Sequence, residues 1–250
     1  MLWLGYNWTT LLLLITIMTT VFTPVAARAL STFLKPGRMA QDNRMQILFN
    51  SLLNVRDKIE SICDPTFQTE SDFSDCINAM NAITLEDVGI DIESLRSLRL
   101  SICMDVCSTP LFDIAVFVIP EGGNIPLHDH PNMAVFSRLL YGQIKTTSFT
   151  PNENKDGCII ASTPTIVTRS VTDMSWYLTP HVNNIHEFAA VSLCVVFDVL
   201  LPPYIDPDRP CNFYKAEEVT AETWKLSKTP FPTSSLPYTV AYGGLVPKRG

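Results

Sequence analysis

Clustered positive charge is the first thing this sequence lacks. Its 250 residues carry 18 Lys and Arg against 25 Asp and Glu, for a net charge of −7, and no basic run stands out. Phosphate recognition needs a concentrated basic surface, so nucleic acid is not expected as a partner. The seven cysteines are odd in number and contain no Cys-x-x-Cys pair. That pattern argues against a four-cysteine zinc site and fits a reduced intracellular protein better than a disulfide scaffold. Neither a solenoid repeat nor a heptad seam is present. Histidine is scarce, with four in the whole chain, so their placement carries weight.

Charge is missing altogether from residues 1–27, whose most apolar part runs from Leu11 to about Val25. Residues 2–25 are long enough to span a bilayer as a helix and give a route to membrane association. Arg28, Lys35 and Arg38 follow the segment. As a signal anchor it would therefore leave the following domain in the cytosol. A cleaved signal peptide and a true start at Met39 are the competing readings. The expected division is 1–38 as an apolar segment with its basic flank, 39–95 as a helical region and 96–250 as the catalytic domain.

Met45, Leu48, Phe49, Leu52, Leu53, Val55 and Ile59 recur at roughly helical spacing, which predicts an amphipathic helix over 40–62. Residues 66–81 are polar and read as a linker or loose helix. Thr84-Leu85-Glu86-Asp87 has the pattern of a helix start. From Phe112 the period changes. Strands are expected at 112–119, through the segment after Asn124, at 135–140, 143–150, 159–160, 165–170 and 174–178, and at 191–201 as a strong buried strand. Many short strands with Gly, Pro and Asn turns predict a mainly β sandwich or barrel, preceded by helices.

The stretch around which the rest is organised is Ile125-Pro126-Leu127-His128-Asp129-His130-Pro131. Residues two apart on a strand share a face, so His128 and His130 can reach one metal ion while Asp129 turns away. A pair at this spacing also arises by chance. A third ligand must come from elsewhere. His186, directly before the strong strand, is the candidate; His181, after Pro180, reads as a loop residue. A lone His beside a strand is ordinarily just a hydrogen-bonded side chain, and the neighbouring pair shifts that balance. Asp198, flanked by Phe197 and Val199, is costly to bury unless paired.

Gly122, His128, His130 and Gly142, followed by Pro180 and His186, resemble the two metal motifs of the cupin barrel. The carboxylate usual between the His pair and the glycine is missing, since residues 134 and 135 are Ala and Val. Three neutral imidazoles leave the full metal charge uncompensated, and a thiolate substrate would supply the missing anion. The wider run of motifs is similar to the cysteamine (2-aminoethanethiol) dioxygenase and plant cysteine oxidase family of thiol dioxygenases. It comprises Ile125–Met133, Leu139-Leu140-Tyr141-Gly142, Leu178-Thr179-Pro180-His181 with Asn184-Ile185-His186, and Phe197–Tyr204. Asp206–Cys211 and Tyr242-Gly243 fit more loosely.

The resemblance implies a cupin double-stranded β-helix (jelly-roll) barrel and one Fe(II) per chain, with dioxygen as co-substrate. It implies His128, His130 and His186 as ligands, with Asp198 and Tyr204 beside the site. The implied substrates are cysteamine or peptides with an N-terminal cysteine, converted to a sulfinic acid. A monomer is expected. Some thiol dioxygenases carry a Cys–Tyr thioether; here Cys211 is present, but residue 213, where the Tyr partner would stand, is Phe and Tyr214 is one place out, so the sequence does not support a crosslink and does not settle whether one forms. A non-catalytic metal- or ligand-binding cupin module and another metal-dependent cupin enzyme, such as a zinc isomerase, remain the alternatives.

Overall fold

A computed structural model describes residues 44–64, 69–232 and 237–241. The apolar segment, the basic flank, and the Tyr242-Gly243 motif lie outside the described residues. Among those described, no helix is long and apolar enough to cross a membrane.

The predicted amphipathic helix is present but divides. Helix α1 (Arg44–Asn54) buries Met45, Leu48, Phe49 and Leu52, the helical stripe. A 3₁₀ helix, Arg56–Cys63, continues it and buries Ile62 alone. Of the two readings of the polar stretch, linker or loose helix, the helix holds: α2 (Thr69–Asp72) leads into α3 (Ser74–Ala82), which buries Cys76, Ala79 and Met80. Its polar residues occupy one face, and the apolar ones were too few to register as a period. Conversely, Thr84–Asp87 does not open a helix. Asp87 accepts hydrogen bonds from the Thr84 amide and hydroxyl, at 2.8 and 2.7 Å, as a capping residue would. The chain then turns at Gly89, whose φ of +65° is left-handed, so the turn cannot propagate as a helix. Helix α4 (Ile92–Leu95) is a single turn.

Fourteen described strands follow: β1 (Ile102–Ser108), β2 (Asp113–Ile119), β3 (Asn124–Asp129), β4 (Ala134–Tyr141), β5 (Gln143–Phe149), β6 (Pro151–Lys155), β7 (Cys158–Ser162), β8 (Thr165–Ser170), β9 (Trp176–Leu178), β10 (Ile185–Ala190), β11 (Cys194–Leu201), β12 (Phe213–Thr220), β13 (Thr223–Thr229) and β14 (Tyr238–Ala241). One sheet runs β14-β1-β2-β11-β4-β9, the other β6-β7-β13-β12-β3-β10-β5-β8. From β2 to β5, and again from β9 to β12, each successive strand crosses to the other sheet. The chain thus winds as a double-stranded β-helix, the cupin barrel.

Every residue of β11 is buried, as its apolar run, interrupted only by Asp198, predicts for a central strand. One face of it carries Val195, Phe197, Val199 and Leu201, which pack with the helices in a single large core. Phe73 meets Phe136 there at 5.4 Å between ring centroids, and Phe49 meets Phe112 at 5.4 Å. The helical region is therefore a lid on the outer face of the six-stranded sheet. The other face of β11, with Cys194 and Val196, looks into the barrel toward Ile125, Ile144 and Phe188. At the end of the barrel away from Tyr204, Gly142 has a φ of +85° and a side chain there would strike the Leu193 carbonyl, so only glycine closes the turn between β4 and β5.

Candidate metal centre

Strand β3 and the residue that follows it deliver two histidines, His128 and His130, to the barrel interior because the strand is irregular. Its pairing with β10 matches His128 to His186 and Ile125 to Phe188, so two residues of β3 oppose one of β10. That β-bulge, at Pro126-Leu127, flips the parity of everything after it. Ile125 faces inward, Leu127 faces outward with Phe149 and Ile185, and His128 and His130 point in beside His186. Without the bulge, Leu127 and Asp129 would face the interior instead. Proline inside a strand is confined largely to edges and bulges, so Pro126 was the legible sign of it.

His186 lies on β10, not before a strand as its flanking sequence implied. The strong strand starts only at Cys194, with a turn at 191–193 between. The three imidazoles converge, their candidate ligand atoms all within 4.8 Å of one another. Among the described residues this is the one group of three or more potential metal ligands, and it contains no carboxylate. His181 is elsewhere, its Nε2 2.7 Å from the Cys63 carbonyl.

The hydrogen bonds fix which nitrogens remain available. His128 Nδ1 is 2.8 Å from the Pro126 carbonyl, which can only accept, so Nδ1 carries the proton and Nε2 the lone pair. Tyr204 Oη is 2.6 Å from the Asp129 carbonyl and 2.7 Å from His130 Nδ1. The hydroxyl has one proton, and the carbonyl needs it. His130 Nδ1–H therefore donates to Tyr204, leaving Nε2 of His130 as an acceptor. That nitrogen faces Nε2 of His186 at 3.0 Å. Two nitrogens each about 2.1 Å from one ion, at right angles, stand about 3.0 Å apart. The donor set fits a divalent metal.

Burial favours the neutral state of all three rings. It lowers His128 to about 4, against the raising effect of its bond to Pro126. His130 and His186 are held well below the ordinary histidine range by burial first and by neighbouring imidazoles second. Neutral imidazole is the ligating form.

The backbone carrying the pair is pinned from several sides. Asn184 receives the His130 amide at 3.3 Å and donates to the His130 carbonyl at 2.8 Å. Asn132 and Asn183 sit at φ near +56° and +57° in the flanking turns, a region asparagine tolerates. Asp129 points away, as its position predicts. Asn184 stood in view beside His186, but its bonds to a segment so distant in sequence gave no local signal.

Asp198 shares its face of β11 with Val196 and Leu200, so it looks into the barrel, the side on which the imidazoles lie. It is 5% exposed. Ser137, opposite it on β4, hydrogen-bonds the carboxyl, and its Oδ1 has no partner. Burial pushes its pKa up to about 7, with Ser137 pulling the other way. Tyr204 is also driven well above the usual tyrosine range, chiefly by burial. Cys211, a free thiol, is hydrogen-bonded to the Tyr204 hydroxyl, a pairing that sequence spacing did not reveal. Phe213 lies against His128, with centroids 6.1 Å apart, while Tyr214 turns outward to Asp129.

Comparison with known proteins agrees with this geometry. The PCO_ADO family model matches residues 74–236. The chain is 38% identical over 109 residues to plant cysteine oxidase 2 of Arabidopsis thaliana, covering 41% of this chain and 40% of that protein. It is 39% identical over 116 residues to a probable 2-aminoethanethiol dioxygenase of Dictyostelium discoideum, covering 43% and 52%. It is 30% identical over 141 residues to the 2-aminoethanethiol dioxygenase of Homo sapiens, covering 46% and 52%. The matches thus span only about half, or less, of these relatives' own lengths.

Proposed function

This chain belongs to the PCO_ADO family, and from that premise we propose that it is a thiol dioxygenase that uses non-haem iron. The reaction is RSH + O2 → RSO2H, with the thiol of cysteamine or of an N-terminal cysteine as substrate. His128, His130 and His186 would hold one Fe(II) per chain. When bound, the iron supplies a redox-active Lewis acid with positions open to a thiolate and dioxygen. The observation that carries this reading is the donor set: three converging neutral imidazoles and no carboxylate. A site so composed lacks an anion, and a thiolate provides one.

The chain's own residues do the rest. Tyr204 acts as a positioning residue: it accepts from His130 Nδ1–H, donates its own O–H to the Asp129 carbonyl, and so holds the ring with Nε2 inward. Asp198 is the group for the substrate's amine. Its Oδ1 is buried without a partner, and an incoming ammonium would satisfy it with a charge-assisted hydrogen bond. Phe188 and Phe213, packed against His186 and His128, keep the surroundings apolar. The basic residues that follow the apolar N-terminal segment favour a cytosolic domain, where thiols and Fe(II) persist.

The test is anaerobic loading of the full chain with Fe(II), followed by oxygen-electrode measurement with cysteamine and with a Cys-initiated peptide. Oxygen uptake that requires both metal and thiol is expected. A chain that retains iron but consumes no oxygen with either thiol overturns the assignment.

A further inference from the structure

Between the two inward histidines stands a residue that faces the opposite way and yet is 7% exposed. The Asp129 carboxylate accepts the Asn212 amide N–H on Oδ1 at 2.8 Å, the Asn212 side-chain N–H2 at 3.2 and 3.0 Å on its two oxygens, and the Tyr214 hydroxyl on Oδ2 at 2.7 Å. Its backbone joins in. The Asp129 N–H donates to the Asn212 carbonyl at 3.0 Å, and its carbonyl receives Tyr204. Lys228 on β13 donates to Asn212 Oδ1 at 2.9 Å, which orients that amide with its N–H2 toward the carboxylate. Every group aimed at the Asp129 carboxylate is a donor. Only an acceptor-only side chain satisfies all of them.

This matters because regular pairing does little on the β12 side. A single residue pair, Phe213 with His128, joins β12 to β3. On the other side the bulge at Pro126-Leu127 interrupts the ladder with β10, which resumes at His128 and Asp129. Toward β12, the segment that aims both imidazoles is held chiefly by the bonds of Asp129.

We propose that Asp129 is a positioning residue for the metal centre: its carboxylate clamps the His128–His130 segment onto Asn212 and Tyr214, and so sets the aim of both imidazoles. It touches neither metal nor substrate. The inference rests on the iron-binding reading above. It adds that the outward side of the His-Asp-His segment, and the hairpin of β12 and β13 behind it, tune metal affinity.

The test is anaerobic Fe(II) binding by the full chain in competition with a chromogenic chelator, alongside thermal melting of each metal-free variant. Asp129→Asn keeps the size but sets an amide N–H against donors. It should weaken Fe(II) binding about 10- to 100-fold, the range of residues that orient ligands. Tyr214→Phe removes one donor and should weaken binding by a smaller factor, and it decides the matter should the Asn variant fail to fold. Phe73→Leu is the control, since it loosens the helical layer on the outer face of the other sheet. It should lower the melting temperature and leave Fe(II) affinity unchanged. Wild-type affinity in both Asp129→Asn and Tyr214→Phe, or an equal loss in Phe73→Leu, overturns the inference alone. A wild-type chain that binds no Fe(II) overturns the iron reading and this inference with it.

Discussion

Two aspartates are buried to nearly the same depth, Asp129 at 7% and Asp198 at 5% exposure, and the barrel treats them oppositely. Asp129, on the outward side of β3, has both oxygens satisfied by Asn212 and Tyr214. Asp198, on the inward side of β11, has Ser137 and one bare oxygen. Burial alone therefore does not mark a functional carboxylate. Unmet hydrogen-bonding capacity does, because buried polar groups in a finished scaffold find partners. On the proposed reading, Asp129 belongs to the scaffold and Asp198 receives the substrate's amine.

Removing a ligand is the bluntest way to separate scaffold from site. His186→Ala should abolish iron retention and turnover, as should Ala at His128 or His130, while His181→Ala keeps both. Metal content by elemental analysis beside steady-state rates checks it. An active His186→Ala variant with an iron-free His181→Ala would reverse the choice of third ligand.

Asp198→Asn is the next largest effect. It keeps the shape and loses the charge, so turnover should fall about ten- to a hundredfold, the value of roughly 1.5–3 kcal/mol for a hydrogen bond to a charged group. Iron content should stay near wild type. If kinetics are normal and only stability changes, Asp198 is scaffold as well, and the contrast with Asp129 disappears.

The pH dependence of the chelator-treated chain sharpens the same contrast. Asp198 is raised from 3.8 to about 7, so the folded chain keeps a proton that the unfolded chain has lost. Its stabilising contribution is full below about pH 4 and is lost as pH rises through about 7, at most about 4 kcal/mol. His128 runs the other way, lowered from 6.5 to about 4. Its contribution is present above pH 6.5 and lost as pH falls through about 4, on the order of 3 kcal/mol. Over about pH 4 to 6.5 the two contributions oppose each other, so in denaturant melts from pH 5 to 7 the stability of Asp198→Asn should rise more steeply with pH than that of the wild type. A variant whose pH profile overlays that of the wild type would refute the burial argument.

Tyr204→Phe should act least. His130 Nδ1–H and the Asp129 carbonyl each lose a partner, which should weaken Fe(II) binding by about tenfold. Chelator competition reads this directly, and unchanged affinity would demote the hydroxyl to packing.

Much of this was legible in the chain itself. The shift from helical to alternating period located most of the barrel strands. His128, His130 and His186 were named from spacing and resemblance, and they do converge. What escaped was non-local or irregular. β1 carries mixed polarity because one face is partly exposed, and β12 and β13 because much of each is exposed, so no apolar run announced them. α3 showed only as one of two readings of a polar stretch, because its buried residues are few. The bulge that turns the histidines inward appears in sequence only as Pro126. The partners that hold them, Asn184, Asn212 and Tyr214, come from segments brought close by the winding of the barrel, which no local pattern records.

Isotope labelling tests the chemistry most directly. The full chain, loaded with Fe(II), is given cysteamine or a Cys-initiated peptide under ¹⁸O2, and the product is weighed by mass spectrometry. A sulfinic acid carrying two labelled oxygen atoms, formed by the wild-type chain and absent with His186→Ala, is the expected result. Unlabelled product, a disulfide alone, or equal product from the His186→Ala chain would contradict it.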